Sequence, residues 1–587
     1  MSKHTGRILR LCLALCMLAI ALPVQAAADA TYYVATNGSD ASGNGSTNQP
    51  WGSISYALQK VPDGSLILVR PGTYTGEVRL RGNFPRGVTV RSEVPYHARL
   101  RYKGQAVIAN GDVSGIVLEG FDIAHSGPGA GPLVIHLSGS KKLGTLRNIT
   151  LRNNILHDSF NSDVLKIDGS AQNVLVEGNV FYNQSGSDEH IDVNSARDVI
   201  IRGNIFFNDF AGSGRPNNND TSSFIVIKDS SGNNDELIGS HNILVSGNVF
   251  LNWQGLGSST FIMIGEDGHP FFEAQDVMVE NNLMLGNSPH EMRASLAVYG
   301  SRNITFRNNT VSGDLPAYAY AMLLSKAVSN PSNENVRFMN NIWADQTGTM
   351  GARSGQNNND FSDTDPNRTT SFSIDHNVYW NNGKTIPSDS KDKVNYTNDA
   401  NRVVGDPRLP LPVVAALPRW NETIGKFGDG SSTIAEAFVR LVKTYGAIPA
   451  NSAAVKAADP STAPAYDILG QARGNSPDAG AYQSIPQVIL GGRPGNGFVS
   501  LHWRFDGTLP ADATWNISYT KPGGGGVNVA SGLPISTRAY HIDGLPNYVR
   551  YSFTVSAIAA GGNTLYTSTT QSMATDIFVF LPSARRP

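Results

Sequence analysis

The chain has 587 residues, enough for more than one domain, and its 48 acidic residues against 46 Lys and Arg leave a net charge of −2. That balance excludes the overall basic surplus of a nucleic-acid binder while leaving room for a local basic groove that meets an acidic polymer. Only two cysteines are present, Cys12 and Cys16, both close to the N-terminus.

Residues 1–26 read as an export signal. Lys3, Arg7 and Arg10 precede an apolar run at 11–22, and Val24-Gln25-Ala26 offers a small-residue cleavage site. The run is shorter than the roughly 20 residues a membrane span needs. Cys16 follows Leu15, where a lipoprotein signal would place a small residue. A secreted, extracellular monomer with no membrane span is therefore expected. Its mature form would have no cysteine, which excludes disulfides and thiolate catalysis.

The mature chain opens with YYVATNGSD at 32–40 and Pro50-Trp51, followed by Ile54, Ala57, Leu58 and Val61 at helical spacing. LILVRPGTY at 66–74 reads as a strand closed by a Pro-Gly turn. A short amphipathic helix at this point suits a cap over the open end of a solenoid.

From residue 115 one unit recurs, at 115–123, 148–156, 173–181, 198–206, 242–250, 276–284, 303–311 and 335–343, with a worn copy at 373–379. NVLVEGNVF at 173–181 is typical. Alternating Val, Ile and Leu predict strands with one buried face, and the Gly-Asn or Asn-Asn pair predicts a corner in the left-handed region. Asn154, Asn179 and Asn204 are 25 residues apart, and Asn248, Asn282, Asn309 and Asn341 keep the slot at wider spacing. A propeller blade repeats at about 40–45 residues, so the shorter period predicts an all-β solenoid, a right-handed parallel β-helix, whose corner asparagines can form a ladder between coils.

The opening at 32–74 and the repeat together resemble the secreted pectate-lyase-like β-helix proteins, and most closely the family 9 polysaccharide lyases. The resemblance covers residues 31 to about 380 as architecture. GDPRL at 405–409 and DAGAY at 478–482 look like closing signatures of such helices, with a polar, Ala/Pro-rich stretch between them. From about residue 486, VSLHW at 499–503, WNISY at 515–519 and YSFTVSA at 551–557 alternate between Gly/Pro/Asn turns. They predict a small β-sandwich resembling a fibronectin type III module, with Trp503 in its core. The expected domains are thus 1–26, 27–484 and 485–575, with a tail at 576–587.

Aligning the strands that precede each unit stacks IHLS at 135–138, LKID at 165–168, IDVN at 191–194, IVIK at 225–228, IMIG at 262–265 and LAVY at 296–299. The apolar residues must point inward, so His136, Lys166, Asp168, Asp192, Asn194 and Lys228 share an outward face. His190 is expected to join them. Further along, Val226, Met263 and Ala297 take over the outward slots and the charge disappears. Insertions at 210–222 and 229–241 could wall a groove, Glu266, Asp267 and His269 could line its far end, and Trp253, Tyr299 and Tyr318 could stack on sugar rings.

Such a cluster suits eliminative cleavage of an acidic polysaccharide, where a poorly acidic proton α to a carboxylate must be removed and the developing charge stabilised. The family resemblance implies Lys166 as the base if its neighbours lower its pKa, and Asp168, Asp188, Glu189 and Asp192 as ligands of a calcium ion. His190 is an alternative acid or base, Lys228 could hold a substrate carboxylate, and His136 and Asn194 are candidate substrate contacts. Two rivals remain. One is a glycoside hydrolase or uronan epimerase on the same scaffold, with Asp168 and Asp192 as a hydrolytic carboxylate pair. The other is a non-catalytic glycan-binding adhesin.

Overall fold

The computed structural model describes residues 30–575, apart from 141–143, 186–187, 216–221, 235–236, 351–359, 485, 506, 508 and 569. The export signal and the tail at 576–587 lie outside the described residues. Each full coil contributes three short strands, for example Leu165–Asp168, Gln172–Glu177 and Val180–Tyr182. Every one pairs in parallel with its counterpart in the next coil. The chain therefore winds as a parallel β-helix with three faces. The strands of the first and second faces belong to one 20-stranded ladder, joined through the long strands Val78–Ser92 and Val107–Glu119, and the third face is a separate sheet of 12 strands.

The corner between the second and third faces is where the sequence signature acts. Asn153, Gly178, Gly203, Gly247, Asn281, Asn308 and Asn340 all hold φ between 51° and 65°. Gly and Asn adopt this region at least cost, which is why they occupy all of these positions; in the last, worn coil His376 takes the slot before Asn377, with φ 56°. The next residue is always the ladder asparagine. Asn154 donates its Nδ2 to Asn179 Oδ1 at 3.1 Å, and Asn179 donates to Asn204 and Asn204 to Asn248, both at 3.0 Å. The run continues through Asn282, Asn309 and Asn341 to Asn377, and ends on the carboxylate of Asp399. Each amide also donates to a carbonyl, as Asn204 does to Val176 at 3.0 Å. Replacing Asn204 with alanine is expected to lower stability by roughly 2–4 kcal/mol, because several fully buried groups lose partners at about 1–3 kcal/mol each. A urea melt of the variant would read that loss directly.

The interior is filled by aligned side chains. Phe181, Phe206 and Phe250 stack with centroids 5.0 and 4.9 Å apart. At the N-terminal end the expected cap helix spans Ile54–Lys60 and buries Ile54, Ala57 and Leu58, with Ser53 accepting from the Tyr56 N–H.

The stretch between the two closing signatures is a strap. The outward residues of the third face are apolar as well, including Val180, Tyr182, Ile205, Phe207, Val249 and Leu251. A sheet that is apolar on both sides must be covered on both. The covering residues are Phe427, the helix Ile434–Leu441, Val442 and Ile468, with Trp420 meeting Tyr96 edge-on at 4.9 Å. Arg473 fastens the return, donating to Asn281 Oδ1 at 2.7 Å and to the carbonyl of Gly480 at 2.8 Å.

The third face also carries a buried ionic group. His157 bridges Asp122 and Asp158 at 2.7 Å each, Arg101 pairs with Asp122 and Arg215 with Asp158. Burial disfavours the His157 charge, but the two carboxylates outweigh it and the pKa is raised. Burial likewise opposes the charges of Asp122 and Asp158, and His157 with the arginines outweighs it, so both are lowered. A raised histidine stabilises the fold fully below its unfolded pKa of about 6.5, and that contribution is lost as pH rises through the folded value. The lowered aspartates contribute above about 3.9 and lose that contribution as pH falls through their folded values. The destabilisation caused by His157→Gln should therefore be largest near about pH 5–6 and shrink at higher pH, as thermal melts across pH would show.

Beyond the strap, Val488–Gly495, Phe498–Phe505 and Ala539–Asp543 form one antiparallel sheet. Thr514–Thr520, Val527–Pro534, Arg550–Ile558, Thr564–Thr567 and Gln571–Ala574 form a second. Trp503 and Trp515 meet edge-on at 5.9 Å in the core between these strands, giving a β-sandwich.

Candidate functional site

The first face presents two outward rows, fixed by the parallel register. One runs His136, Lys166, Asp192, Val226, Met263, Ala297, Leu323, Asp363. The other contains Ser138, Asp168, Asn194 and Lys228. The charged block and the apolar block that follows it are therefore consecutive coils of one sheet.

Within the charged block the side chains pair across coils. His136 Nε2 lies 3.0 Å from Asp168 Oδ2, and Lys166 donates to Asp192. Lys228 donates to Glu266 at 2.6 Å, with Asp267 at 3.6 Å. Asn194 is engaged by the loop after Lys228. Its amide donates to Ser230 Oγ at 2.7 Å, and its oxygen accepts from the Ser230 N–H at 2.9 Å. The opposite loop is held by fully buried Glu273, which accepts from the backbone N–H groups of residues 266–269 and so fixes Glu266 and Asp267 over Lys228.

Three sequence expectations need correction. His190 does not join the outward face. It sits in the turn before Ile191, where strand parity has not yet begun, and its ring stacks inside on Phe224 at 4.7 Å. Burial pushes its pKa down to about 3, so it is neutral and out of reach as an acid or base. The neighbours of Lys166 do not lower its pKa. Burial does act downward, but Asp192 and Asp163 outweigh it and the pKa is raised. Trp253 is buried inside, with its indole N–H donating to the Glu291 carbonyl at 3.0 Å, and presents no stacking surface.

One residue was missed. Asp163 lies two positions before the strand Leu165–Asp168, as Glu189 does before Ile191–Asn194, and Leu165 pairs with Ile191. The register thus sets the two acids side by side, and Asp163 Oδ1 accepts from the Glu189 N–H at 2.9 Å. Carboxylate oxygens of Asp163, Asp188 and Glu189 all fall within 4.8 Å of one another. Extending the coil alignment two residues upstream of each strand would have found it.

In this group burial and mutual repulsion outweigh the nearby lysines for Asp163 and Glu189. Burial and the charge of Asp192 raise the Asp163 pKa to about 7. Burial, Asp163 and Asp192 raise that of Glu189 well above the ordinary glutamate range. Asp192 Oδ1 is buried without a hydrogen-bond partner among the described residues. Hard oxygen donors in this number and spacing fit a calcium ion. Asp168 does not belong to the group. Burial acts upward on its carboxyl, but its hydrogen bond and pairing with His136 outweigh this and hold it below its usual range.

No family model matches the chain, and no curated protein matches it. Among solved structures it is similar to XylC in complex with xylose, at 12% identity and a TM-score of 0.40 over 78% of this chain and 98% of that one. It is also similar to the pectate lyase Pel9A, at 15% identity and a TM-score of 0.33 over 78% of this chain and 96% of that one. A third is PfbA, a surface adhesin of Streptococcus pneumoniae, at 11% identity and a TM-score of 0.32 over 55% of this chain and 78% of that one. The fold rests on the coil-to-coil pairing itself. This chain is a parallel β-helix. The candidate site lies on the first face of that helix, over the coils from His136 to Glu266.

Proposed function

We propose that the protein is an extracellular lyase that cleaves a uronic-acid polysaccharide by β-elimination, with Lys228 as the base. The observation that carries this reading is the convergence of Asp163, Asp188 and Glu189, with Asp192 beside them, next to two lysines on one outward face. These four acids are the ligands we assign to a calcium ion, whose chemistry when bound is to neutralise the substrate carboxylate and favour the enolate-like transition state. Export is inferred from the segment at 1–26.

Lys166 and Lys228 take different parts. Lys166 is hydrogen-bonded to Asp192 itself and holds that carboxylate in place. Lys228 is hydrogen-bonded instead to Glu266, on a loop. Burial acts downward on the Lys228 pKa but is outweighed by Asp192, Glu266 and Glu189, leaving it raised. Two of those three belong to the carboxylate group. Were those two carboxylates engaged by a bound cation, the potential that holds the Lys228 proton would fall; once that proton has passed to solvent, the free amine takes the proton from the carbon α to the substrate carboxylate. As that C–H bond breaks, its electrons form the carbon–carbon double bond, and the glycosidic oxygen departs from the adjacent carbon, taking a proton from solvent.

Raised carboxyls also suit the general acid of a hydrolase, and Asp163 and Glu189 have that property. They are 2% and 4% exposed, however, too enclosed to reach a glycosidic oxygen. Asp168 is lowered, the wrong direction for a proton donor. Incubation with a panel of polyuronides separates the readings. Ultraviolet absorbance of an unsaturated product, abolished by chelation, is expected. New reducing ends without that absorbance would indicate hydrolysis, and binding without any product would indicate an adhesin.

A further inference from the structure

Further along the same face, beyond the apolar outward residues, lies a cavity of about 490 Å³ that takes no part in the chemistry above. That is the size of a sugar-scale site. Its lining includes Arg293, Tyr299, Leu323, Asp363 and Arg368. Tyr299 and Leu323 come from adjacent strands, Ala294–Tyr299 and Ala319–Ser325, and Leu323 pairs in register with Asp363 on the next. With strands about 4.8 Å apart, the cavity lies roughly 10–19 Å along the helix axis from Lys228, a span of several sugar units.

Each arginine of the cavity is paired with an aspartate. Arg293 is paired with Asp363 and lies over the Tyr318 ring at 5.3 Å. Arg368 is paired with Asp365 at 3.3 Å and donates to Ser325 Oγ at 2.9 Å. The complete lining carries Arg293, Arg368 and Lys391 against Asp363, Asp365, Asp389 and Asp392, an excess of one negative charge. A site for a lone carboxylate needs the opposite excess. A cation is no better served, because the acids that converge within ligand distance, among the described residues, are those of Asp163, Asp188 and Glu189. What the cavity does offer is two arginine–aspartate pairs, whose groups can donate and accept hydrogen bonds, beside a tyrosine. That combination recognises hydroxyl groups on a ring that is partly apolar.

We propose that this cavity is an accessory subsite that takes a neutral sugar unit of the polysaccharide through its hydroxyls, so that the substrate is a heteropolymer of uronic acid and neutral sugar. The proposal rests on the lyase reading for the identity of the polymer, but binding tests it independently. The experiment is affinity electrophoresis of the wild-type protein, Arg368→Gln, Tyr299→Ala and Lys228→Ala in gels containing neutral glycans (galactan, arabinan, xylan) or polygalacturonate. At least one neutral glycan should retard the wild type and Lys228→Ala alike. Arg368→Gln, which alters a half-exposed side chain, and Tyr299→Ala should each weaken that retardation about tenfold and leave retention by polygalacturonate unchanged. Failure of every neutral glycan to retard the wild type, or unchanged retardation of both cavity variants when circular dichroism shows them folded, would overturn it. Neutral-glycan retardation lost in the cavity variants, with no unsaturated product from any polyuronide, would uphold the subsite and remove only the lyase reading.

Discussion

Lys228→Ala is expected to abolish release of unsaturated product, lowering kcat by roughly 10²–10⁴-fold, the range a positioned general base contributes. Lys228→Arg should be nearly as inactive, because a guanidinium keeps the charge but cannot give up its proton at working pH. That pair of variants separates proton removal from simple attraction of a carboxylate, which arginine would preserve. Lys166→Ala should behave differently. Lys166 is hydrogen-bonded to Asp192, so its loss should loosen that ligand, and activity should recover as calcium is raised. Lys228→Ala should show no such recovery. If the two variants exchange these behaviours in calcium-dependent kinetics, the roles of the two lysines are reversed.

Asp163→Asn should have opposite effects on stability and on metal affinity. Asp163 is buried beside Glu189 and Asp192, and its pKa is raised to about 7 because burial and Asp192 both disfavour its charge. Removing that charge should make the metal-free protein more resistant to heat. The same change removes one of the assigned ligands, and calcium affinity should fall at least about tenfold, the lower end of the loss seen when even a supporting group at a metal site is removed. Wild-type protein at a calcium concentration 100 times its Kd should gain about 2.7 kcal/mol of stability, and the variant much less. Thermal melts with and without calcium measure both halves. A variant less stable than wild type without calcium, yet equally stabilised by it, would show that Asp163 is a structural residue.

The sequence made the scaffold legible because its corner chemistry is narrow. A left-handed residue followed by a buried asparagine admits few alternatives, and the spacing from Asn154 to Asn204 sets the coil length. That register also placed Lys166 opposite Asp192 and Asn194 opposite Lys228. It failed at the strand ends. Two-residue periodicity says nothing about a turn, so it puts His190 outside although the ring joins the phenylalanine stack, and it gives no sign of Asp163 beside Glu189. The sign of the lysine shifts was hidden too, because it depends on how many carboxylates face each amine across coils. The strap was foreshadowed only indirectly, by residues such as Val180 and Tyr182 that make the third face apolar on its outer side.

The most direct test of eliminative cleavage is to digest a polyuronide in heavy-oxygen water and weigh the products. Elimination breaks the chain without consuming water, so the expected fragments carry a double bond, are lighter by one water than hydrolysis products and have no heavy oxygen incorporated at the break. Fragments of full hydrolytic mass that carry one heavy oxygen at the cleaved bond would contradict it.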